Sequence, residues 1–431
     1  MVKYIVLSIS ICLTFAGCTL MRDLLRGGRQ LNGVSQDYDL LLLFSFAVVL
    51  FVCLYNSIKK LQSVGNARVQ ANIIFLALVI VILVLPITKI DDKKDSKFEN
   101  RRLNAKPTLY SNDNFNYEYG KKFEAWLSDH FRGRERFFKI YNSIDRMLSY
   151  RLDNKIALEG KDGWLFYKGD SSIKNYQNLN NFSVDQLEYI KSRLEAKRDY
   201  CKSLGIDYYV LIAPDKNQVY PEYFPEEYDR IGKENRGTQL YNYLKNNSTI
   251  NIAYPLSELK EAKNQYEVYY RNDTHWNSVG AYYGYESLFA LIKKDYNSLE
   301  KQDLKDFSIK RIVFNGDLQN MLQLHDRKYY TFTTTRLKNN NYKQSNPKKI
   351  EGFTLPKDSQ IVLTDGNSPY SVILFRDSFS TALIPYISYQ FGHVEYFWTR
   401  DFENNKLYLK NKRPNIVIEE CVERYIQELV W

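Results

Sequence analysis

A chain of 431 residues with 44% apolar content has material for more than one folding unit and for a sizeable core. A formal net charge of +10 and 36 Tyr favour acidic glycans, lipid headgroups or sugars as partners, or else a solvated face on a large domain. No zinc-finger spacing and no RNP-type aromatic strand supports nucleic acid, and without Cys-x-x-Cys or His-Glu-x-x-His no metal or other cofactor is expected.

Three apolar stretches come first in the chain, at residues 4–20, 38–55 and 71–87. Each is about long enough to cross a bilayer core of roughly 30 Å, so residues 1–90 read as a membrane region of two or three transmembrane helices. The first follows Lys3 and ends in Phe15-Ala16-Gly17-Cys18, a loose match to a lipoprotein cleavage box, so it reads as a signal or as an uncleaved helix. Counting crossings puts the rest of the chain outside the cytoplasmic membrane in either case. The loop charges point the other way: Lys3, Lys59, Lys60 and Arg68 oppose Arg22, Arg26, Arg29, Lys93, Lys94 and Lys97. Crossing parity is given the greater weight. Residues 91–106 are polar and charged, as a juxtamembrane linker would be.

The soluble domain is expected over 107–431. Residues 117–137 alternate apolar and charged positions at helical spacing, and residues 160–167 read as a turn and a short strand. Ser183 with Gln186 forms a capping box, and Gly205 is a fitting stop for the helix between them. Leu187, Ile190, Leu194 and Tyr200 would be its buried stripe. Residues 207–213 follow as an apolar run of strand length, which suggests an α/β unit with a mainly parallel sheet. Residues 266–271 read as extended, and 277–293 as a helix capped by Ser278. Residues 307–358 are Asn/Lys-rich and read as an irregular insertion. Strands are expected at 371–375, 393–398 and 415–419, with a helix over 379–391 that Pro385 kinks. Five cysteines are too few for a disulfide framework, and Cys201 and Cys421 are left open as a pair or as free thiols.

Two segments carry nucleophile and base residue types. In Asp273-Thr274-His275-Trp276, the acid and the imidazole are two apart, so in an extended loop they face one side. Asp273 would hold the ring tautomer through Nδ1 and leave Nε2 as a base. Taken alone, the cluster is equally a helix start satisfying backbone donors. In the second segment an apolar strand runs through Phe375-Arg376-Asp377 into Ser378 and a helix. That places a serine at the sheet's carboxyl edge beside free N–H groups. The plain alternative is Asp377 or Ser378 as an N-cap. Lys216 and Tyr220 follow the first sheet strand, and Arg400 follows the strand after the serine. Each could meet a substrate or serve only the fold.

Together these segments resemble the alginate O-acetyltransferase family of AlgJ and AlgX type, with its SGNH-hydrolase-like domain, and the bacterial Asp-His-His-Trp (DHHW) proteins. The likeness runs from about residue 99 to about residue 420. It includes Glu99-Asn100-Arg101-Arg102 with Pro107, Asp129-His130-Phe131 before Arg134, and Gly160-Lys161-Asp162-Gly163-Trp164-Leu165-Phe166. Further on it includes Pro214-Asp215-Lys216 with Tyr220-Pro221, Asp273-Thr274-His275-Trp276, Gly316-Asp317-Leu318 and Asp377-Ser378-Phe379. The resemblance implies a three-layer, flavodoxin-like α/β domain. It also implies Ser378 as nucleophile, His275 as base and Asp273 as orienting acid, in a chain order reversed from ordinary SGNH esterases. The alginate enzymes usually have Gly two residues before the serine, where this chain has Arg376.

The resulting expectation is a membrane-anchored O-acetyltransferase acting on an exported polysaccharide through an acyl-enzyme, with no nucleic acid involved. Lys216, Tyr220, Trp276 and Arg400 would line its groove, and a separate membrane acyltransferase would deliver acetyl. The same site could release acetyl to water as a carbohydrate esterase, or the domain could grip polysaccharide without catalysis.

Overall fold

The computed structural model describes residues 93–96, 101–111, 114–130, 134, 152–324, 326–337, 342–356 and 359–430. The three apolar stretches lie outside these residues, and among the described residues no helix is long and apolar enough to cross a membrane. The chain divides into two compact units, Met1–Lys155 and Ile156–Trp431.

In the first unit, short antiparallel pairs join Asp95–Ser96 to Arg101–Arg102 and Tyr110–Ser111 to Asn114–Phe115. The helix expected over 117–137 is described over Tyr119–His130. Asp129 Oδ2 accepts the Asn104 N–H at 2.9 Å, and the His130 ring lies 2.8 Å from the Trp126 carbonyl oxygen, so both motif residues have local structural partners here.

The second unit is built on a seven-stranded sheet. In chain order its strands are β1 (Asp207–Ala213), β2 (Asn251–Ala253), β3 (Lys343–Ser345), β4 (Ile361–Asp365), β5 (Ser371–Phe375), β6 (His393–Phe397) and β7 (Ile416–Val422). Their spatial order is β3-β4-β6-β5-β7-β1-β2. The pairs from β6 through β5, β7 and β1 to β2 are parallel, and β3 and β4 add an antiparallel edge. The sheet is therefore mixed but mainly parallel.

The period of two along each strand sorts side chains between two cores. Tyr209, Leu211 and Ala213 of β1 face one core with Val372 and Leu374 of β5. Tyr208, Val210 and Ile212 face the other with Ile373 and Phe375. Helices cover both faces: α3 (Ser278–Asp295) and α4 (Ile384–Gln390) on the first, α1 (Val184–Ser203), α2 (Arg236–Asn247) and α5 (Lys406–Lys412) on the second. A strand buried on both faces must be apolar at nearly every position, which is why β1 reads so clearly, whereas β7, expected over 415–419, runs over Ile416–Val422 and buries Glu419 and Glu420. Each fully buried Leu, Ile, Val or Phe contributes roughly 1.5–3 kcal/mol.

Helix α1 carries the expected capping box at Ser183, and Gly205 takes φ +73°, where a side chain would be strained. Other expectations differ, and residues 266–271, expected as extended, hold only an isolated bridge between Tyr269 and Trp276. The cap of α3 is Asn277, whose Oδ1 accepts the Gly280 N–H at 3.0 Å, so Ser278 is already inside the helix. Residues 379–391 do not form one kinked helix. A 3₁₀ turn, Phe379–Ala382, gives way to α4, and Pro385 sits in the first turn, where its missing N–H costs nothing. The insertion is not all irregular: Phe307–Phe314 pairs antiparallel with the Thr-rich strand Tyr329–Arg336. Cys201 and Cys421 are both buried free thiols.

Candidate active site

Strands β1, β5 and β7 are parallel neighbours, so their carboxyl ends open on one edge. From β5 the chain passes through Arg376 and Asp377 to Ser378. Asp377 is the cap here: its Oδ1 accepts the Phe379 N–H at 2.8 Å, and its Oδ2 accepts the Val422 N–H at 2.8 Å. Below it, Glu420 Oε2 accepts from the Asp377 N–H at 3.1 Å and from the Ser380 hydroxyl at 2.6 Å. Burial and the nearby Asp377 charge push the Glu420 carboxyl well above its usual range. Ser378 makes no capping bond. Its Oγ lies 2.7 Å from His275 Nε2.

The imidazole is held from behind. His275 Nδ1 lies 2.6 Å from Asp273 Oδ1, and the same oxygen accepts the His275 N–H at 3.0 Å. With Nδ1–H donated to the carboxylate, Nε2 is left as an acceptor for the Ser378 hydroxyl. Burial works against charge on both groups, yet their mutual attraction wins. Asp273 is held down to about 2, and the His275 ring titrates above its ordinary value. The Phe379 ring packs 4.8 Å from the imidazole.

A second carboxylate completes the loop. The Asp317 N–H donates to Asp273 Oδ2 at 2.9 Å. Its own oxygens accept from the Thr274 N–H at 2.8 Å and the Thr274 hydroxyl at 2.7 Å. Burial, and then the Asp273 charge, push Asp317 up to about 6. Gly316 permits this approach, since a Cβ there would stand 2.1 Å from the Asn272 carbonyl oxygen. Asp273, His275 and Asp317 present their ligand atoms within 4.8 Å of one another. Asp273 and Asp317 each accept from N–H donors, and the imidazole lies within hydrogen-bond reach of the serine.

The structure brings Asp273, His275 and Ser378 together, and gives the four expected groove residues other partners. Lys216 Nζ is buried and donates to the backbone carbonyls of Tyr270 at 3.1 Å and Asp273 at 2.6 Å. Burial pushes its amine down to about 7. The Tyr220 hydroxyl accepts the Val268 N–H at 2.9 Å, and its ring lies 4.2 Å from that of Trp164. Trp276 is fully buried and donates Nε1–H to the Phe379 carbonyl at 2.9 Å. Arg400 Nη2 pairs with Asp377 Oδ2 at 2.9 Å, and Nη1 with Glu428. Lys216 and Trp276 tie into the loops that carry Asp273 and Ser378, Arg400 ties to Asp377, and Lys216 also lines a small cavity at the carboxyl edge. Arg376 is buried too, with its guanidinium 4.7 Å from the Trp398 ring and Nη1 on the Asp377 carbonyl.

Asp317, Glu420 and Arg424 had no assigned role in the sequence. Gly316-Asp317-Leu318 was visible as a motif, but its contact with Asp273 spans 44 positions. Glu420 and Arg424 were hidden in and just after an apolar strand.

Comparison with known proteins agrees with this architecture. The model of the family described as "SGNH hydrolase-like domain, acetyltransferase AlgX" matches residues 157–395, more than half of the chain. The probable alginate O-acetylase AlgJ of Pseudomonas syringae pv. tomato is 26% identical over 235 residues, covering 53% of this chain and 55% of the relative. The chain spans about half the length of the curated relatives it matches. Among solved structures, a DHHW family protein from Eubacterium siraeum aligns with TM-score 0.47 and 16% identity, over 64% of this chain and 93% of that one. The O-acetyltransferase domain of Pseudomonas putida AlgJ aligns with TM-score 0.40 and 19% identity, over 63% and 91%. The matched span contains Asp273, His275, Asp317 and Ser378, and the chain belongs to the AlgX family of SGNH hydrolase-like acetyltransferase domains.

Proposed function

We propose that this protein transfers an acyl group, acetyl in the first instance, to a hydroxyl of an exported or cell-surface polysaccharide. The observation that carries the reading is the continuous hydrogen-bonded line from Ser378 Oγ through the His275 ring to Asp273, 2.7 Å and 2.6 Å long in its two steps.

His275 Nε2 takes the Ser378 proton as Oγ bonds to the acyl carbonyl carbon. The tetrahedral intermediate expels the donor's oxygen, which leaves with the proton from His275. A sugar hydroxyl then attacks the acyl-serine, giving its proton to His275. The intermediate collapses to the sugar ester, and the proton returns to Ser378. Negative charge on the carbonyl oxygen needs a donor, and the Ser378 N–H at the start of the turn is suited to it. One such donor contributes about 3 kcal/mol to the barrier reduction. Asp273 stabilises the imidazolium formed in both halves of the cycle.

The same reading anchors the chain in the cytoplasmic membrane through residues 38–55 and 71–87, with 4–20 as a third span or a signal, and the catalytic domain outside. Acetyl then arrives from a separate membrane acyltransferase. The test is direct. Full-length protein in detergent is given p-nitrophenyl acetate and an oligosaccharide, and products are followed by mass spectrometry. Acetylated Ser378 and acetylated sugar are expected, with Ser378→Ala abolishing both. Transfer that survives Ser378→Ala would sink the mechanism. Release of acetyl only to water would make the protein an esterase.

A further inference from the structure

Lysine is almost never fully buried unless its charge is matched. Lys216 is only 4% exposed, at the start of a four-residue helix, Lys216–Val219, that follows β1. Its Nζ meets three backbone carbonyls in place of a carboxylate: Tyr270 at 3.1 Å, Arg271 at 3.3 Å and Asp273 at 2.6 Å. Three acceptors use all three hydrogens of an ammonium. The rings of Phe166 and Trp164 lie 5.2 Å and 5.8 Å from the same nitrogen. Burial works against the charge, while the Asp273 and Asp317 carboxylates work for it. All three carbonyls belong to one loop, and the last of them is the carbonyl of the triad acid itself.

The foot of this lysine is fixed to the sheet. Ala213 ends β1 and stands opposite Val422 of β7 in the parallel register. Between Ala213 and Lys216, the Asp215 N–H donates to Glu423 Oε2 at 3.0 Å, and the Asp215 carboxyl pairs with Arg424. Val422 in turn donates its N–H to Asp377 Oδ2 at 2.8 Å, one residue before the nucleophile. Both arms of the triad thus start from one cross-strand pair. Ser378 is reached through Val422 and Asp377, and the loop of Asp273 and His275 through Ala213 and Lys216. The 2.7 Å between His275 Nε2 and Ser378 Oγ is the distance left where the two arms meet, so slack in either arm opens it directly.

Resting on the acyl-transfer reading above, we infer that Lys216 is a positioning residue: its ammonium clasps the 270–273 backbone to the carboxyl end of β1 and so sets the reach of His275 Nε2 to Ser378 Oγ. It touches neither the acyl group nor the sugar. Its effect therefore belongs to kcat, whereas a lysine lining a groove would act on the KM of the acceptor.

Full-length Lys216→Met protein in detergent keeps the length of the side chain and loses every donor. With p-nitrophenyl acetate and no sugar, its kcat should fall about 10- to 100-fold with KM little changed, the loss that a misplacement near 1 Å brings. Lys216→Gln returns two N–H donors without charge, and its kcat should lie between the two. It serves alone if the methionine variant does not fold, as judged by the urea midpoint. Position can also be read without turnover. The His275 Nδ1 proton, closely held by Asp273, should resonate far downfield of the amides in the parent protein and be absent from His275→Asn. In Lys216→Met it should broaden or vanish. A parental kcat in the methionine variant, a loss confined to the KM of an oligosaccharide acceptor, or a downfield proton that the substitution leaves unchanged would overturn the inference. The acyl-transfer reading fails separately, on parent protein whose Ser378 takes no acetyl from p-nitrophenyl acetate.

Discussion

Asp317 acts on Asp273 much as Asp273 acts on His275. Its N–H fixes one oxygen of the acid, and its carboxylate fixes the Thr274 backbone between acid and base. Asp317→Ala strips the partner from two Thr274 donors, so kcat for p-nitrophenyl acetate should fall about 10- to 100-fold, since a 1 Å misplacement costs about that much, with KM little changed. Asp317→Asn keeps an acceptor and should recover part of the loss. The pH profile separates this from general damage. His275 is a base only when neutral, and its ring titrates above 6.5, so kcat/KM should rise with pH along a limb placed above that value. Asp317, pushed up to about 6, titrates on the acid side of the same limb, and Asp317→Asn should make the limb shallower. An unchanged profile would reduce Asp317 to a bystander. At this scale the sequence offers Asp273, His275 and Ser378 as candidates by residue type at a helix start and a strand end, with the family resemblance joining them, and what the structure adds is the meeting of their side chains. Lys216, Tyr220, Trp276 and Arg400, expected along a groove, all have partners within the protein, for a physical reason. A charged or aromatic side chain at the carboxyl edge can reach outward to a ligand or inward to a loop. The carbonyls that capture Lys216 lie 54 and 57 positions away, where spacing says nothing.

The cap of helix α3 stands two residues after the imidazole, so the helix start is also part of the site. Asn277 caps it and sends Nδ2–H to the Glu267 carbonyl, tying the helix to the chain before the loop. Asn277→Ala should destabilise the fold by about 1–2 kcal/mol, seen as a lower urea midpoint at unchanged slope. A midpoint equal to that of the parent protein would show that Ser278 can take over the cap. Strands β1 and β5 were readable to the residue because burial on both faces leaves little but apolar side chains. The 307–337 hairpin was not, because Tyr329-Tyr330-Thr331-Phe332-Thr333-Thr334-Thr335 is polar in composition while being strongly β-forming in shape. Composition masked what β-branching declared. Pro385 was read as a kink when a proline in a first turn starts a helix as readily as it bends one.

For the molecule as a whole, the two thiols outside the apolar stretches make a simple probe. Cys201 on α1 and Cys421 on β7 are fully buried in the same core, and burial raises both thiols above their ordinary range. A thiol reagent should leave them untouched in the native protein and modify both once the chain is unfolded. Rapid native labelling, or a disulfide found by mass, would contradict the packing of that face. The apolar stretches at residues 4–20, 38–55 and 71–87 are expected as spans on length alone and lie outside the described residues, and their orientation rests on parity against an opposing charge pattern. Gly316, pressed against the Asn272 carbonyl, has a further meaning for how such proteins diverge. A chain shortened across this hairpin could keep its sheet and still set a hydroxyl beside an imidazole. One oxygen of the supporting acid would then point at nothing. Kin with a trimmed hairpin must therefore recruit a substitute donor from elsewhere, and finding that donor tells which of them still turn over.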